Sequence, residues 1–485
     1  MSETTVRLPE HGRDKKQILQ QMQSYREKDA DYLSGKTWSL VYYLNDEHTD
    51  FLQKAYNLFF SENGLNPMAF LSLKRFESEV IRMTAVMLPG DEEAVGTMTS
   101  GGTESCLLAV KTYRDLARAK RGVRRPEMVA PETIHVAFEK AAEYFGVKLV
   151  HAPLGKDYRV DVKAMKKLIN RHTVLLAASA PCYPFGVVDP IEEIGRVALR
   201  HNLPFHVDAC LGGFLLPFVE KLGHDVPVFD FRVPGVTSMS ADVHKYGFAA
   251  KGASTIVYRN MDYLKHQFFI SENWPGGIFF SPALLGTRPG GSIAAAWAAM
   301  QAQGETGYLE NARRIMASVK QMRDGIAAIP ELEVLGKPHG AILAYRSKSP
   351  DLNVFAVGDQ LEKRGWHIDR QQKPDSLHAM VTPHHGKVID LYLKDLRESV
   401  AFVKAHPELA GQGGAAMYGL ISHVPLRGMI RQKVLQMVMD LYGAAPKMID
   451  PEAGQNADDW SMKAGLYYLE LKKKAEKFWN ETLKR

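Results

Sequence analysis

Pro204-Phe205-His206-Val207-Asp208-Ala209 is a short apolar run that closes on a carboxylate, and it reads as a buried strand met at its C-terminal end. Alternation along a strand sends His206 and Asp208 to one face. Open α/β sheets bind ligands beyond the carboxyl ends of their strands, so an acid at this point is placed for chemistry. The ordinary alternative is an aspartate that caps a helix or closes a turn.

Similar β-rich runs flank this one at 133–137, 148–152, 174–178 and 254–258, and helix-length segments separate them. Strands alternating with helices predict an α/β fold built on a large, mostly parallel sheet. Near Gly304 the texture changes to a long polar-apolar helix over 307–326, with strand-like runs at 331–335 and 342–345 beyond it. The chain therefore divides into an N-terminal helical arm (1–60), a large domain (61–305) and a smaller C-terminal α+β domain (306–485), closed by a charged helix over 464–483. The charged stretch 15–33 has too few apolar residues for a core of its own, which suits an arm packed on another subunit or a frayed terminus.

The 485 residues exceed one ordinary domain. Apolar residues make up 45% and charged residues 24%, the profile of a soluble globular protein. The net charge of +6 is dispersed, which argues against nucleic acid and favours an anionic substrate. Cys106, Cys182 and Cys210 show no metal-ligand spacing, so no metal site is expected and a reduced, cytoplasmic protein is. No apolar stretch approaches the roughly 20 residues of a membrane helix, and the polar N-terminus lacks a signal-peptide core. The clusters Phe268-Phe269-Ile270 and Phe279-Phe280 are assigned to core packing ahead of a lipid channel or membrane contact.

Three further segments carry chemistry. Thr99-Ser100-Gly101-Gly102-Thr103-Glu104-Ser105 precedes a helical run, so glycine backbone, a helix N-terminus and the Thr103 hydroxyl can meet a phosphate; a plain helix cap is the equal alternative. His135 reads as an ordinary strand histidine or as a ring stacked on a cofactor. Lys245, within Ser240-Ala241-Asp242-Val243-His244-Lys245-Tyr246-Gly247, suits an amine that forms a Schiff base with pyridoxal phosphate. With such a cofactor, Asp208 would keep the pyridine nitrogen protonated.

The order of these features, a phosphate turn at 102, a ring at 135, an acid at 208 and a lysine at 245, resembles the fold-type I pyridoxal-phosphate enzymes. Within them it is similar to the group II decarboxylase family, which includes the sphingosine-1-phosphate lyases; the resemblance runs from about Tyr42 to Tyr442. Gly186-Val187-Val188-Asp189-Pro190-Ile191, Asp208-Ala209-Cys210-Leu211-Gly212-Gly213-Phe214, His244-Lys245-Tyr246-Gly247-Phe248-Ala249-Ala250-Lys251-Gly252 and Gly286-Thr287-Arg288-Pro289-Gly290-Gly291 look like the lyases rather than the decarboxylases.

The resemblance implies pyridoxal 5'-phosphate on Lys245, a stacked His135, Asp208 on the pyridine nitrogen, and the phosphate on Gly102, Thr103 and His244. It implies that Thr287 reaches the cofactor of a neighbouring subunit, and hence a homodimer with its active site at the interface. Lys251, Tyr43 and Tyr183 match active-site positions, Lys251 being placed for the phosphate of a substrate. Asn66 stands where the family has a phosphate-binding histidine, and asparagine donates a hydrogen bond without carrying charge. The implied activity is that of a carbon-carbon (aldehyde) lyase of sphingolipid metabolism, cleaving a phosphorylated sphingoid base by retro-aldol to a fatty aldehyde and phosphoethanolamine. Tyr183, Tyr43 and the freed Lys245 are the candidates for moving protons. The rival expectations are an amino-acid decarboxylase of glutamate or aromatic type and a non-catalytic protein that keeps the fold.

Overall fold

The computed structural model describes residues 7–423 and 427–443, so the helix expected at 464–483 lies outside the described residues. Seven strands form the main sheet: β1 (Val95–Thr99), β2 (Glu127–Pro131), β3 (Lys148–Ala152), β4 (Thr173–Ser179), β5 (Phe205–Asp208), β6 (Ser238–Ala241) and β7 (Ser254–Tyr258). Their order is β1-β7-β6-β5-β4-β2-β3, and only β7 runs antiparallel to its neighbours. Helices cover the sheet, so β4 to β7 are buried along their whole length. That double burial is why β4 and much of β5 and β7 read as apolar runs.

Two elements depart from the sequence reading. The run at 133–137 is not a strand: β2 ends at Pro131, and the chain turns into the helix Ala137–Phe145. His135 Nδ1 accepts the Ala137 amide at 3.2 Å and the Ile134 amide donates to the Pro131 carbonyl, so this stretch is held by local turn bonds in place of a sheet ladder. Conversely, Ser238-Met239-Ser240-Ala241 is a central strand despite its serines. The Ser238 hydroxyl accepts from the Tyr113 hydroxyl at 2.7 Å and meets His206 Nδ1 at 2.8 Å, while Ser240 donates to Asp208 at 3.3 Å. Hydrogen-bonded hydroxyls bear burial at little cost.

A hairpin of β8 (Phe269–Trp274) and β9 (Gly277–Ser281) stands apart from both other sheets. Ile270 is 63% exposed, Trp274 57% and Phe280 44%, so these apolar clusters are not the core packing expected of them. The hairpin pairs only with itself, and Phe268 alone at its base turns toward the core.

The helix Gly290–Ala327, kinked at Gly304, leads to a second sheet of β10 (Leu332–Val334), β11 (Ile342–Ser347), β12 (Asp369–Gln371) and β13 (Ser376–Met380), ordered β10-β11-β13-β12 and antiparallel throughout. The expected helix over 307–326 is the second half of that longer one. Residues near Trp38, grouped by sequence with the N-terminal arm, join this sheet: the Trp38 amide donates to His367 and its carbonyl accepts from Met380. The Trp38 ring stacks on His385 with centroids 4.4 Å apart. The helix Lys15–Arg26 buries no residue in this chain.

The two sheets meet where the turn after β4 docks on β11. Gly186 has φ 66°, and a Cβ there would fall 2.5 Å from the Ile342 carbonyl oxygen. Only glycine tolerates that approach. Among the described residues no helix is long and apolar enough to cross a membrane.

Candidate active site

The parallel strands deliver their chemistry to one edge. Gly102 follows β1, His135 follows β2, Tyr183 follows β4, Asp208 ends β5, and Asp242, His244 and Lys245 follow β6. A cavity of about 400 Å³ opens at this edge, and all seven of these residues line it, with Thr103. It is the position at which open α/β sheets hold ligands.

Lys245 sits at its base. Its Nζ lies 3.0 Å from Asp242 Oδ2, and the carboxylate is almost wholly buried. Burial alone would pull the Lys245 pKa down, but the Asp242 charge pulls it up, and the balance is a pKa above the ordinary lysine value. Burial likewise opposes ionisation of Asp242, yet Lys245 and then His244 hold its pKa below the usual carboxylate value. The pair is an ammonium and a carboxylate at neutral pH. His244 Nε2 is 3.7 Å from the same carboxylate oxygen, and Nδ1 accepts the Ala253 amide at 3.1 Å. Burial pushes the His244 pKa down to about 4, so its imidazole is neutral.

The opposite wall is the start of the helix Gly102–Arg121. Its N-cap is Gly101, which offers no capping side chain, so first-turn amides face the cavity. A Cβ on Gly102 would lie 2.6 Å from Asp242 Oδ2 and 2.8 Å from Cys210 Sγ, which only glycine avoids. Glu104 fixes the turn, accepting the Ser100 amide and hydroxyl at 2.7 Å on one oxygen and the Leu284 amide at 2.8 Å on the other. Asp208 accepts from the Cys210 amide at 3.1 Å and from Ser240 at 3.3 Å. A buried amine, an uncapped helix N-terminus and a carboxylate in one cavity fit the aldehyde, phosphate and pyridine of pyridoxal phosphate.

Tyr183 comes from the docked turn. Its hydroxyl donates to Asp369 Oδ2 at 3.0 Å, and its ring stacks on His378 at 4.5 Å. Burial first, then the Asp369 charge, push its pKa well up, so the phenol keeps its proton. Tyr42 packs edge-on against Tyr246 at 5.0 Å and lies close enough to Lys245 and Asp242 to feel both charges. Lys251 Nζ stands 4.9 Å over the Tyr42 ring and donates to the Leu40 carbonyl at 3.0 Å. Desolvation of its tip, then the Lys245 charge, lower its pKa to about 8.

Three expected residues lie elsewhere. Tyr43 is turned from the cavity, donating to Asp46 at 2.7 Å and packing on His384; its neighbour Tyr42 holds the inward place. Asn66 is exposed and accepts the Met68 amide. Thr287 is also exposed, accepting from Asn63 at 3.2 Å, while the adjacent Arg288 is buried against Glu77 at 2.7 Å. Neither Asn66 nor Thr287 lines the cavity around this chain's own Lys245.

Sequence reasoning passed over Asp242, Glu104, Tyr42 and Asp369. Asp242 stood inside the quoted lysine motif, three residues before Lys245, at the spacing of one turn. Asp369 gave no signal, since it reaches Tyr183 only through the second sheet.

Residues 69–348 match the model of the pyridoxal-dependent decarboxylase conserved domain. Sphingosine-1-phosphate lyase of Arabidopsis thaliana is 46% identical over 434 residues, covering 88% of this chain and 79% of the relative. Sphingosine-1-phosphate lyase 1 of Rattus norvegicus is 41% identical, covering 90% and 77%. The solved sphingosine-1-phosphate lyase of Burkholderia pseudomallei superposes with a TM-score of 0.83 at 36% identity, over 90% of this chain and 97% of that one. Glutamate decarboxylase of Lactobacillus brevis shares the fold at a TM-score of 0.73 and 18% identity, over 82% and 95%. The cavity built around Lys245 falls within the matched domain, and likeness this high extends over most of both chains; the chain belongs to the sphingosine-1-phosphate lyase family of pyridoxal-dependent enzymes.

Proposed function

We propose that the protein is a pyridoxal-phosphate-dependent lyase that cleaves phosphorylated long-chain sphingoid bases to a fatty aldehyde and phosphoethanolamine. The observation that carries this is the cavity in which Lys245, Asp208, His135 and the uncapped helix start at Gly102 converge, with Lys251 beside it. Bound pyridoxal phosphate supplies an electron sink for the bond broken next to the substrate amine.

The chain's own residues do the rest. Lys245 holds the cofactor through its amine, and Gly102, Thr103 and His244 hold the phosphate. Asp208 pairs with the pyridine nitrogen, and His135 covers the ring. Lys251 receives the substrate phosphate, and Tyr42 takes the role expected of Tyr43. The compartment in this reading is the cytoplasm.

The same reading includes a homodimer. Asn66 and Thr287 would act in the partner's site, and the occupant of the exposed β8–β9 face is a second copy of this chain. Apolar side chains as exposed as Ile270 and Trp274, together with an exposed Thr287 that does not line its own subunit's cavity, support that assignment.

The test is product analysis with sphingosine 1-phosphate, scoring aldehyde against carbon dioxide released from amino acids, with Lys245→Ala as control. Aldehyde from the wild type and none from the variant is the expected result. Carbon dioxide from an amino acid without aldehyde overturns the proposal.

A further inference from the structure

We propose that Asp369, acting through the Tyr183 hydroxyl, takes up the substrate hydroxyl proton as the carbon-carbon bond breaks. This rests on the lyase reading above and supplies the proton acceptor that reading lacks.

The cavity's other candidates are spent. Lys245 Nζ sits 3.0 Å from Asp242, and in this step it serves as the ammonium that protonates the amine-bearing carbon, the opposite task to accepting a proton. Tyr43 is turned away and bonded to Asp46, and the Tyr42 hydroxyl that holds its place donates to the Met380 sulfur at 3.3 Å, which is no base to receive its proton. Tyr183 does face the cavity, but its phenol already donates to Asp369 Oδ2 at 3.0 Å. A phenol in that state accepts a proton only while passing on its own, and the receiving atom is in place.

His378 shows that the carboxyl group has provision for the proton. Asp369 and His378 are directly opposed across the β12–β13 ladder. His378 Nε2 meets the Tyr183 carbonyl oxygen at 2.9 Å; a carbonyl only accepts, so Nε2 carries the hydrogen and Nδ1 is a bare lone pair. That Nδ1 is buried without a hydrogen-bond partner, 3.9 Å from Asp369 Oδ2. A buried acceptor without a donor is costly. A carboxylate offers it nothing, whereas a neutral Asp369 carboxyl offers an O–H after a small closing movement. Ser39 donates to Oδ1 at 3.2 Å, fixing the other oxygen. The Asp369 side chain is 39% exposed, so the proton can leave to water between turnovers.

The step balances. The substrate O–H proton passes to the Tyr183 oxygen as the Tyr183 proton passes to Asp369. The hydroxyl oxygen becomes the aldehyde carbonyl as the carbon-carbon bond breaks. The bonding pair remains with the amine-bearing carbon, where a proton from the Lys245 ammonium replaces the lost carbon. Asp369 ends neutral and Tyr183 unchanged.

Asp369→Asn keeps an acceptor for the Tyr183 hydroxyl and removes the basicity, which makes it the test. In the holoenzyme, kcat for aldehyde release should fall about 100-fold or more, the scale of acid-base assistance, with KM within about threefold and the bound-cofactor absorbance unchanged. Asp369→Glu should recover at least about a tenth of the lost rate. Tyr183→Phe should match the Asp369→Asn loss, and the double variant should be no worse than either, because the two act as one unit. The relay alone is overturned if an active wild type is accompanied by an Asp369→Asn kcat within about threefold, by a loss confined to KM, or by losses that multiply in the double variant. A wild type that binds cofactor yet releases no aldehyde overturns the lyase reading and the relay with it.

Discussion

Lys245 Nζ lies 3.0 Å from the buried Asp242 Oδ2, so the amine assigned to the cofactor rests as one half of an ion pair. Removing the acid should strand a charge. Asp242→Asn is expected to destabilise the cofactor-free protein by roughly 3 kcal/mol, the lower end of what breaking a buried pair costs, measured by denaturant unfolding. The pH window follows from the shifts. Asp242 is depressed, so its contribution is present above the ordinary value of 3.8 and lost as pH falls through the folded pKa. Lys245 is raised, so its contribution is present below 10.5 and lost only as pH rises through a higher folded pKa. The difference between variant and wild type should therefore be fully present from above pH 3.8 through neutrality. It should shrink in acid as Asp242 is protonated, and in alkali as the partnerless Lys245 of the variant, whose pKa burial alone depresses, gives up its proton.

Lys251 makes the opposite kind of prediction, because its pKa is lowered to about 8. It is cationic below that pH and neutral above it. If it holds the substrate phosphate, KM for a phosphorylated base should rise as pH passes 8. Lys251→Met should raise KM at pH 7 by roughly 10- to 100-fold, the worth of a charge-assisted hydrogen bond. Lys251→Arg should keep affinity and abolish the limb near pH 8, since a guanidinium stays charged. A pH-independent KM in the wild type would remove Lys251 from the phosphate site.

Gly102→Ala separates helix propensity from shape. Alanine is favoured over glycine in a helix by up to ~1 kcal/mol, so propensity alone predicts a neutral or stabilising change. The added Cβ, however, would stand 2.6 Å from Asp242 Oδ2 and 2.8 Å from Cys210 Sγ. Cofactor affinity should drop by about tenfold or more in an absorbance titration, and the melting temperature of the cofactor-free protein should fall and not rise, because the added Cβ meets buried side chains of the cavity itself.

These groups differ in how far the chain announces them, for physical reasons. Asp208 was legible because a strand buried on both faces must be apolar, which makes its terminal acid conspicuous. β6 was not, since its serines are satisfied by Tyr113 and His206, partners far off in sequence. Tyr42 and Tyr43 could not be told apart because the segment follows neither a twofold nor a 3.6-residue period. Only its docking beside Met380 and His367 decides which ring turns inward. Asp369 lies on a three-residue polar strand, and its meaning comes wholly from Tyr183 across the two sheets.

The exchange of Tyr43 for Tyr42 is itself testable. Tyr43→Phe removes one surface hydrogen bond to Asp46 and should leave kcat and KM within about threefold. Tyr42→Phe removes a hydroxyl that lies near Lys245 and Asp242, beneath Lys251, and should lower kcat/KM by about tenfold or more. Equal losses in both variants would return Tyr43 to the site.

Ile270 and Phe280 are paired across the β8–β9 ladder and so project from the same face of the hairpin, 63% and 44% exposed. In an isolated subunit neither supports the core, so Ile270→Asp with Phe280→Asp should leave secondary structure and cofactor-free stability nearly intact. Against a second copy the same change would bury two unpaired carboxylates, a cost large enough to dissociate a dimer. Light scattering should report a dimer for the wild type and a monomer for the double variant. Aldehyde release should fall with the dimer, because Thr287 and Asn66 would no longer reach a neighbouring site. A variant that stays dimeric would move the subunit contact to another face; a monomer with full activity would show that each subunit's cavity is complete by itself.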